Sequence, residues 1–148
     1  MISPVKTLVT ATAVNTGGRN GHSETTDKLV SVDLSVPKEM GGPGKPGTVT
    51  PEHLFAAGYA ACFGGAVDFV ARGHKKKASG ASVTCSVGVG PREAGGLGLT
   101  VKMRVVDPTL SQADLESFVR EAHETICPYS HATRGNVAVD FEVEGAKS

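Results

Sequence analysis

Tryptophan is absent from these 148 residues, tyrosine occurs twice and phenylalanine five times, so the chain has little from which to build an aromatic binding platform. Neither sign of charge is in excess. Fifteen basic residues balance fifteen acidic ones, which leaves no long-range field to attract nucleic acid or an anionic membrane. Three cysteines are an odd, low count, unsuited to disulfide stapling. No secretory signal opens the chain, so the expected compartment is the reducing cytoplasm, where a disulfide would be chemistry and not scaffolding. No C-x-x-C, no internal repeat and no phosphate-binding glycine motif after a strand occurs. The length is that of a single domain, 1–148, with a core of its own.

What is present is organised around residues 50–73, TPEHLFAAGYAACFGGAVDFVARG. Thr50 suits an N-cap, Pro51 the first helical position and Glu52 the positive end of the helix dipole. Arg72 and Gly73 suit the other end, with Gly73 free to take the left-handed conformation. Between them the run is apolar all round, which predicts a buried helix. It stops at Asp68 and Arg72, short of the roughly 20 apolar residues of a membrane span. Gly58, Ala61, Gly64, Gly65 and Ala66 would let a second backbone approach closely, and Cys62 sits in their midst.

The rest reads mostly as strand. Residues 5–14 are β-branched, and Asn15–His22, NTGGRNGH, forms a turn that carries Arg19. Leu29–Val36 alternates with period two, and a Gly/Pro-rich loop of residues 38–49 delivers the chain to Thr50. The basic turn HKKKASG reads as solvated surface. Ser82–Val89 and Leu97–Val106 form a hairpin with Cys85 on an apolar face, where it is structural. Ser111 caps an amphipathic helix in capping-box spacing with Asp114; Leu115, Phe118, Val119, Ala122 and Ile126 form its buried stripe. Pro128 ends that helix at Cys127 and can start another turn. Asn136–Val143 closes the chain as a strand. Short hairpin connections favour an α+β domain of antiparallel sheets around a long buried central helix.

Cys62 and Cys127 are 65 positions apart, a spacing that by itself gives neither a zinc knuckle nor a redox motif. His123, Cys127 and His131 are spaced by four, with His22 as a further ligand for a metal-binding reading, but Pro128 interrupts the helix that would align them. From local structure alone Cys127, before Pro128 in an N-cap position, is the better nucleophile, since a helix N-terminus lowers a thiol pKa. Cys62, mid-helix, has no such help.

The phrases around the cysteines are more specific. PEHLFAAGYAACF and CPYSHATRGN resemble the two cysteine motifs of the organic hydroperoxide resistance proteins, the Ohr branch of the OsmC/Ohr family. The GGRNG turn, the Gly/Pro-rich loop and the order of elements extend the resemblance over nearly the whole chain. It implies an OsmC-like fold in an intertwined homodimer and a thiol peroxidase that reduces organic and lipid hydroperoxides to alcohols without metal or other cofactor. Cys62 would be the peroxidatic cysteine and Cys127 the resolving one. Arg19 and Glu52 would activate and orient the thiolate, and a lipoylated protein would supply the dithiol reductant. Phe55, Tyr59, Phe63 and Tyr129 are candidate walls for an alkyl pocket, Tyr129 equally a core aromatic. The alternatives are a peroxidase of the OsmC branch with broader specificity and a non-enzymatic dimeric module with structural cysteines.

Glu52 and Cys62 stand ten positions apart on one helix, roughly 15 Å along its axis and on different faces. They cannot share a site within one subunit. Antiparallel packing of two such helices across a two-fold axis would bring Glu52 of one copy to Cys62 of the other.

Overall fold

A computed structural model describes residues 2–147 of the chain. It divides at Pro51 into two compact units. The first holds three short antiparallel strands, β1 (Ala13–Thr16), β2 (His22–Thr25) and β3 (Ser31–Asp33), in the order β1-β2-β3. The strand expected over 5–14 therefore survives only at its end. Residues 2–12 are exposed and outside any strand, with Ile2, Val5, Leu8 and Val9 each more than 80% exposed. Their β-branched composition gives strand propensity, but among the described residues no strand pairs with them. Leu29–Val36 is likewise shortened to β3, after which Leu34 bridges Val49 in parallel.

The Gly/Pro-rich loop is pinned from within. Buried Ser35 bonds Thr48 through their hydroxyls at 2.7 Å, and its Oγ accepts the Lys45 N–H at 2.9 Å.

In the second unit α1 runs Pro51–Gly73, the span its sequence signals mark. Gly73 stays helical. Lys75 takes the left-handed position instead, at φ 60°, closing a Schellman turn in which Lys76 N–H reaches Ala71 O and Lys75 N–H reaches Arg72 O.

A sheet in the order β4-β5-β6 follows, built from β4 (Ser82–Pro91), β5 (Leu97–Ser111) and β6 (Val139–Ala146). The β4–β5 hairpin is antiparallel as expected, and Cys85 lies with Val83 and Val87 on its core-facing side. The wholly antiparallel expectation fails at β6, which pairs with β5 in parallel, Val101 opposite Val139. The reason is the long helical connection, which carries the chain back over the sheet before β6 begins, as parallel pairing requires. That connection comprises α2 (Gln112–Glu121), a π turn (Ala122–Ile126) and α3 (Pro128–Thr133). Ser111 Oγ caps α2 by accepting the Asp114 N–H.

Helix α1 supplies Tyr59, Phe63, Val67, Val70 and Ala71 to a core shared with Val101, Met103 and Val105 of β5 and Leu115, Phe118 and Val119 of α2. It is not buried all round. Leu54, Ala57, Ala61, Gly65 and Phe69 face outward, Phe69 at 58% exposure. The helix continues through Asp68 and Arg72, so by length and composition it can cross a membrane. Tyr59, Phe63, Val67 and Val70 nonetheless belong to a core built jointly with sheet and helix, the place of a core helix in a globular unit.

Candidate active site

Two elements bring the paired cysteines together. Cys62 lies in the fourth turn of α1, and Cys127 is the N-cap of α3, where Pro128 has broken the preceding helix and opened the next one. Their sulfurs are 3.5 Å apart, and both are free thiols. Cys62 is half-buried, whereas Cys127 is 1% exposed. A disulfide of about 2.05 Å would bring the two sulfurs about 1.5 Å closer.

The start of α3 serves both sulfurs. The Ser130 N–H points at Cys127 Sγ at 3.4 Å, and the Tyr129 backbone N–H bonds the Cys62 sulfur. Cys62, mid-helix on α1, thus receives from α3 the amide that its own helix cannot give. This is the feature that local sequence reading missed when it left Cys62 unassisted. Burial nevertheless raises the Cys62 thiol above its ordinary value, the Tyr129 N–H working against it and the neighbouring Cys127 adding to it. A thiolate there needs a further positive partner.

Around the pair lies a buried polar cluster. Tyr59 Oη bonds Ser130 Oγ at 2.7 Å and Thr133 Oγ1 at 3.1 Å, and His123 Nδ1 bonds Ser130 Oγ at 2.9 Å. Desolvation, followed by the charge of Arg134, holds His123 below the ordinary histidine value. Burial raises the Tyr59 phenol further above neutrality. The cluster is therefore uncharged at neutral pH.

Of the four aromatic residues considered as pocket walls, Tyr59 and Phe63 are fully buried and belong to the core. Phe55 and Tyr129 remain at the surface side, with Tyr129 42% exposed and its ring 6.3 Å from that of Phe55. The Tyr129 ring lies over Gly58, where an added Cβ would meet it at 3.2 Å, so glycine is what permits this approach to α1.

Arg19 belongs to the first unit, in a 3-10 turn over Gly18–Asn20. The turn is rigid by construction. Gly17 and Gly18 have φ of 86° and 60°, conformations natural to glycine. Asn15 Oδ1 accepts the Gly18 N–H at 2.8 Å, and Asn20 Oδ1 accepts the Val36 N–H at 2.9 Å. Glu52 occupies the first turn of α1. One continuous helix carries both Glu52 and Cys62, which preserves their axial separation of roughly 15 Å.

The histidines of the metal reading are engaged otherwise. His123 bonds Ser130, the His131 ring nitrogen bonds Arg134, and His22 bonds Asp33 and Ser31. Among the described residues no three potential ligands cluster.

Comparison with known proteins supplies the family. Residues 42–142 match the OsmC-like protein family. An organic hydroperoxide resistance protein of Xanthomonas axonopodis pv. citri is 49% identical over 140 residues, 94% of this chain and 96% of that one. A crystal structure of an organic hydroperoxide resistance protein from Legionella pneumophila superposes with a TM-score of 0.83 at 44% identity, covering 96% of this chain and all of that one. A putative osmotic stress induced and detoxification response protein from Psychrobacter arcticus shares the fold alone, at 14% identity and a TM-score of 0.66, with 94% of this chain and 98% of that one covered. The chain belongs to the OsmC-like family, among its organic hydroperoxide resistance proteins.

Proposed function

We propose that the protein is a two-cysteine thiol peroxidase that reduces organic hydroperoxides to alcohols. The observation that carries this reading is the cysteine pair itself, with the sulfur of half-buried Cys62 3.5 Å from that of buried Cys127. A substrate from solvent meets Cys62 first. The Cys62 thiolate attacks one peroxide oxygen and the O–O bond breaks. The departing alkoxide takes a proton to become the alcohol, and Cys62 becomes a sulfenic acid. The Cys127 thiol then attacks that sulfur, forming the S–S bond as the S–OH bond breaks and water leaves. A dithiol reductant reopens the disulfide by exchange, becoming a disulfide itself. A lipoylated protein is the donor we infer, and the cytoplasm is the setting.

Arg19 supplies the positive partner that a raised Cys62 thiol needs, since a guanidinium stays charged without competing for the proton. Glu52 orients that guanidinium by bidentate pairing. Because Glu52 and Cys62 are far apart on α1, the Glu52 that acts on a given Cys62 comes from a second copy of the chain, in a homodimer. Replacing Arg19 by alanine is expected to move the pH dependence of Cys62 alkylation upward. Each unit of that shift lowers the thiolate fraction at neutral pH about tenfold. An unchanged profile would remove Arg19 from the mechanism.

A peroxidase of the OsmC branch is the second reading. The 14% identity to the osmotic stress protein, against 44–49% to organic hydroperoxide resistance proteins, weighs against it. The test is a non-reducing peptide map of the reduced protein after one equivalent of cumene hydroperoxide, with hydrogen peroxide in parallel. A rapid Cys62–Cys127 disulfide with the organic oxidant, leaving Cys85 as a thiol, is the expected result. Equally rapid reaction with both oxidants favours the broader enzyme. Slow, scattered oxidation by either would make the cysteines structural.

A further inference from the structure

Ser130 is the residue on which the geometry of the cysteine pair turns. Its side chain is fully buried, and a serine hydroxyl has one hydrogen to donate and two lone pairs to accept with. Two partners from different elements use it: the Tyr59 hydroxyl of α1, and the His123 ring of the π turn. Tyr59 stands three residues before Cys62, one helical turn away and on neighbouring positions of the same face of α1. The hydroxyl bridge from Tyr59 therefore fixes where the first turn of α3 sits relative to Cys62.

That first turn supplies three of the contacts that place the sulfurs. Cys127 caps it, the Tyr129 N–H bonds Cys62 and the Ser130 N–H bonds Cys127. A displacement of Ser130 by a few tenths of an ångström is carried directly to both amides and to the Cys127 sulfur. Thr133 adds a second tie one turn along, its Oγ1 bonding Tyr59 at 3.1 Å and the Ser130 carbonyl at 3.2 Å. Buried hydroxyl networks that are fully partnered are stiff, because any departure leaves a polar group unsatisfied.

We propose that Ser130, held between Tyr59 and His123, is a positioning residue for the resolving step: it keeps the Cys127 sulfur against Cys62 so that the sulfenic acid is captured as a disulfide before a second peroxide reaches it. The inference rests on the two-cysteine reading above. A Cys62 sulfenic acid has two fates. Attack by Cys127 gives the disulfide and water. Attack by its sulfur on a second hydroperoxide transfers another oxygen, giving sulfinic acid and a second alcohol. The network acts on the first fate alone, so it sets the partition between them.

The partition is the measurement. Reduced wild type, Ser130→Ala and Tyr59→Phe are each treated with a graded excess of cumene hydroperoxide. Cys62–Cys127 disulfide and Cys62 sulfinic acid are then quantified by mass spectrometry. Both variants are expected to lower the ratio of disulfide to sulfinic acid, Ser130→Ala by about tenfold, as the loss of a buried hydrogen bond at the reacting geometry would. Tyr59→Phe keeps the ring in the core and removes only the hydroxyl, so it carries the test if Ser130→Ala folds poorly. Each variant is isolated as folded protein before oxidation, because unfolded chain would add sulfinic acid without the native cysteine geometry. Wild-type ratios in both variants overturn the positioning role while leaving the peroxidase reading standing. A wild-type protein that forms no Cys62–Cys127 disulfide overturns that reading, and this proposal with it.

Discussion

Replacing Cys62 by serine is expected to abolish hydroperoxide reduction, with turnover falling at least about three orders of magnitude, the scale of removing the nucleophile from a covalent catalyst. Replacing Cys127 by serine is expected to behave differently. One equivalent of alcohol is released per chain and turnover then stops, because the sulfenic acid on Cys62 has no resolving thiol. Trapping with dimedone followed by peptide mapping reads the adduct on Cys62. The competing assignment comes from the helix dipole, which favours Cys127 as the N-cap of α3. Accessibility and hydrogen bonding argue against it. Cys127 is fully buried, Cys62 only half-buried, and the amide of Tyr129 from that same helix start bonds Cys62. A dimedone adduct on Cys127 in the Cys62→Ser protein, formed as fast as peroxide is consumed, would reverse the two roles.

Much of this site was legible in sequence because its parts carry strong local signals. Thr50-Pro51 and Gly73 bound α1, Pro128 breaks a helix at Cys127, and the motifs around Cys62 and Cys127 point to one family. The juxtaposition of the two sulfurs was not legible from spacing, since they stand 65 positions apart with the β4–β5 hairpin and α2 between them. Nor was the role of Ser130, whose hydroxyl partners are 71 residues away on Tyr59 and seven away on His123. The serine at the third position after the cap was visible; its burial was not. The parallel β5–β6 pairing escaped for a related reason. Period-two alternation in residues 136–143 marks a strand and its face, and carries no information about direction. At the other end of the chain, β-branched residues gave an expectation of strand over 5–14 that needs a pairing partner the chain itself does not furnish.

In the homodimeric peroxidase proposed above, placing arginine at Gly65 is expected to separate the two copies and to remove the hydroperoxide turnover in the same step. Gly65 faces outward on α1, and a Cβ built there meets nothing within 4 Å. Within one chain the change is tolerated, and arginine is a better helix former than glycine by several tenths of a kcal/mol to about 1 kcal/mol. A protein working as a single chain should therefore be slightly stabilised and fully active. The face around Gly65 argues for the other outcome. Ala61, Gly64 and Gly65 line an open groove of about 450 Å³ with Ala81 and Val83, and exposed Leu54 and Phe69 stand on the same helix. Small residues flanked by large apolar ones allow close approach of a second backbone and bury area when it arrives. A second copy of α1, antiparallel, is the occupant that would also bring a Glu52 to Cys62. Long arginine side chains on both copies would collide there, and each site would lose its Glu52. Sedimentation of the Gly65→Arg protein beside wild type reads the mass, and cumene hydroperoxide turnover reads the site. A wild-type single chain, or a variant that dissociates while keeping wild-type turnover, would show that each site is complete within its own subunit.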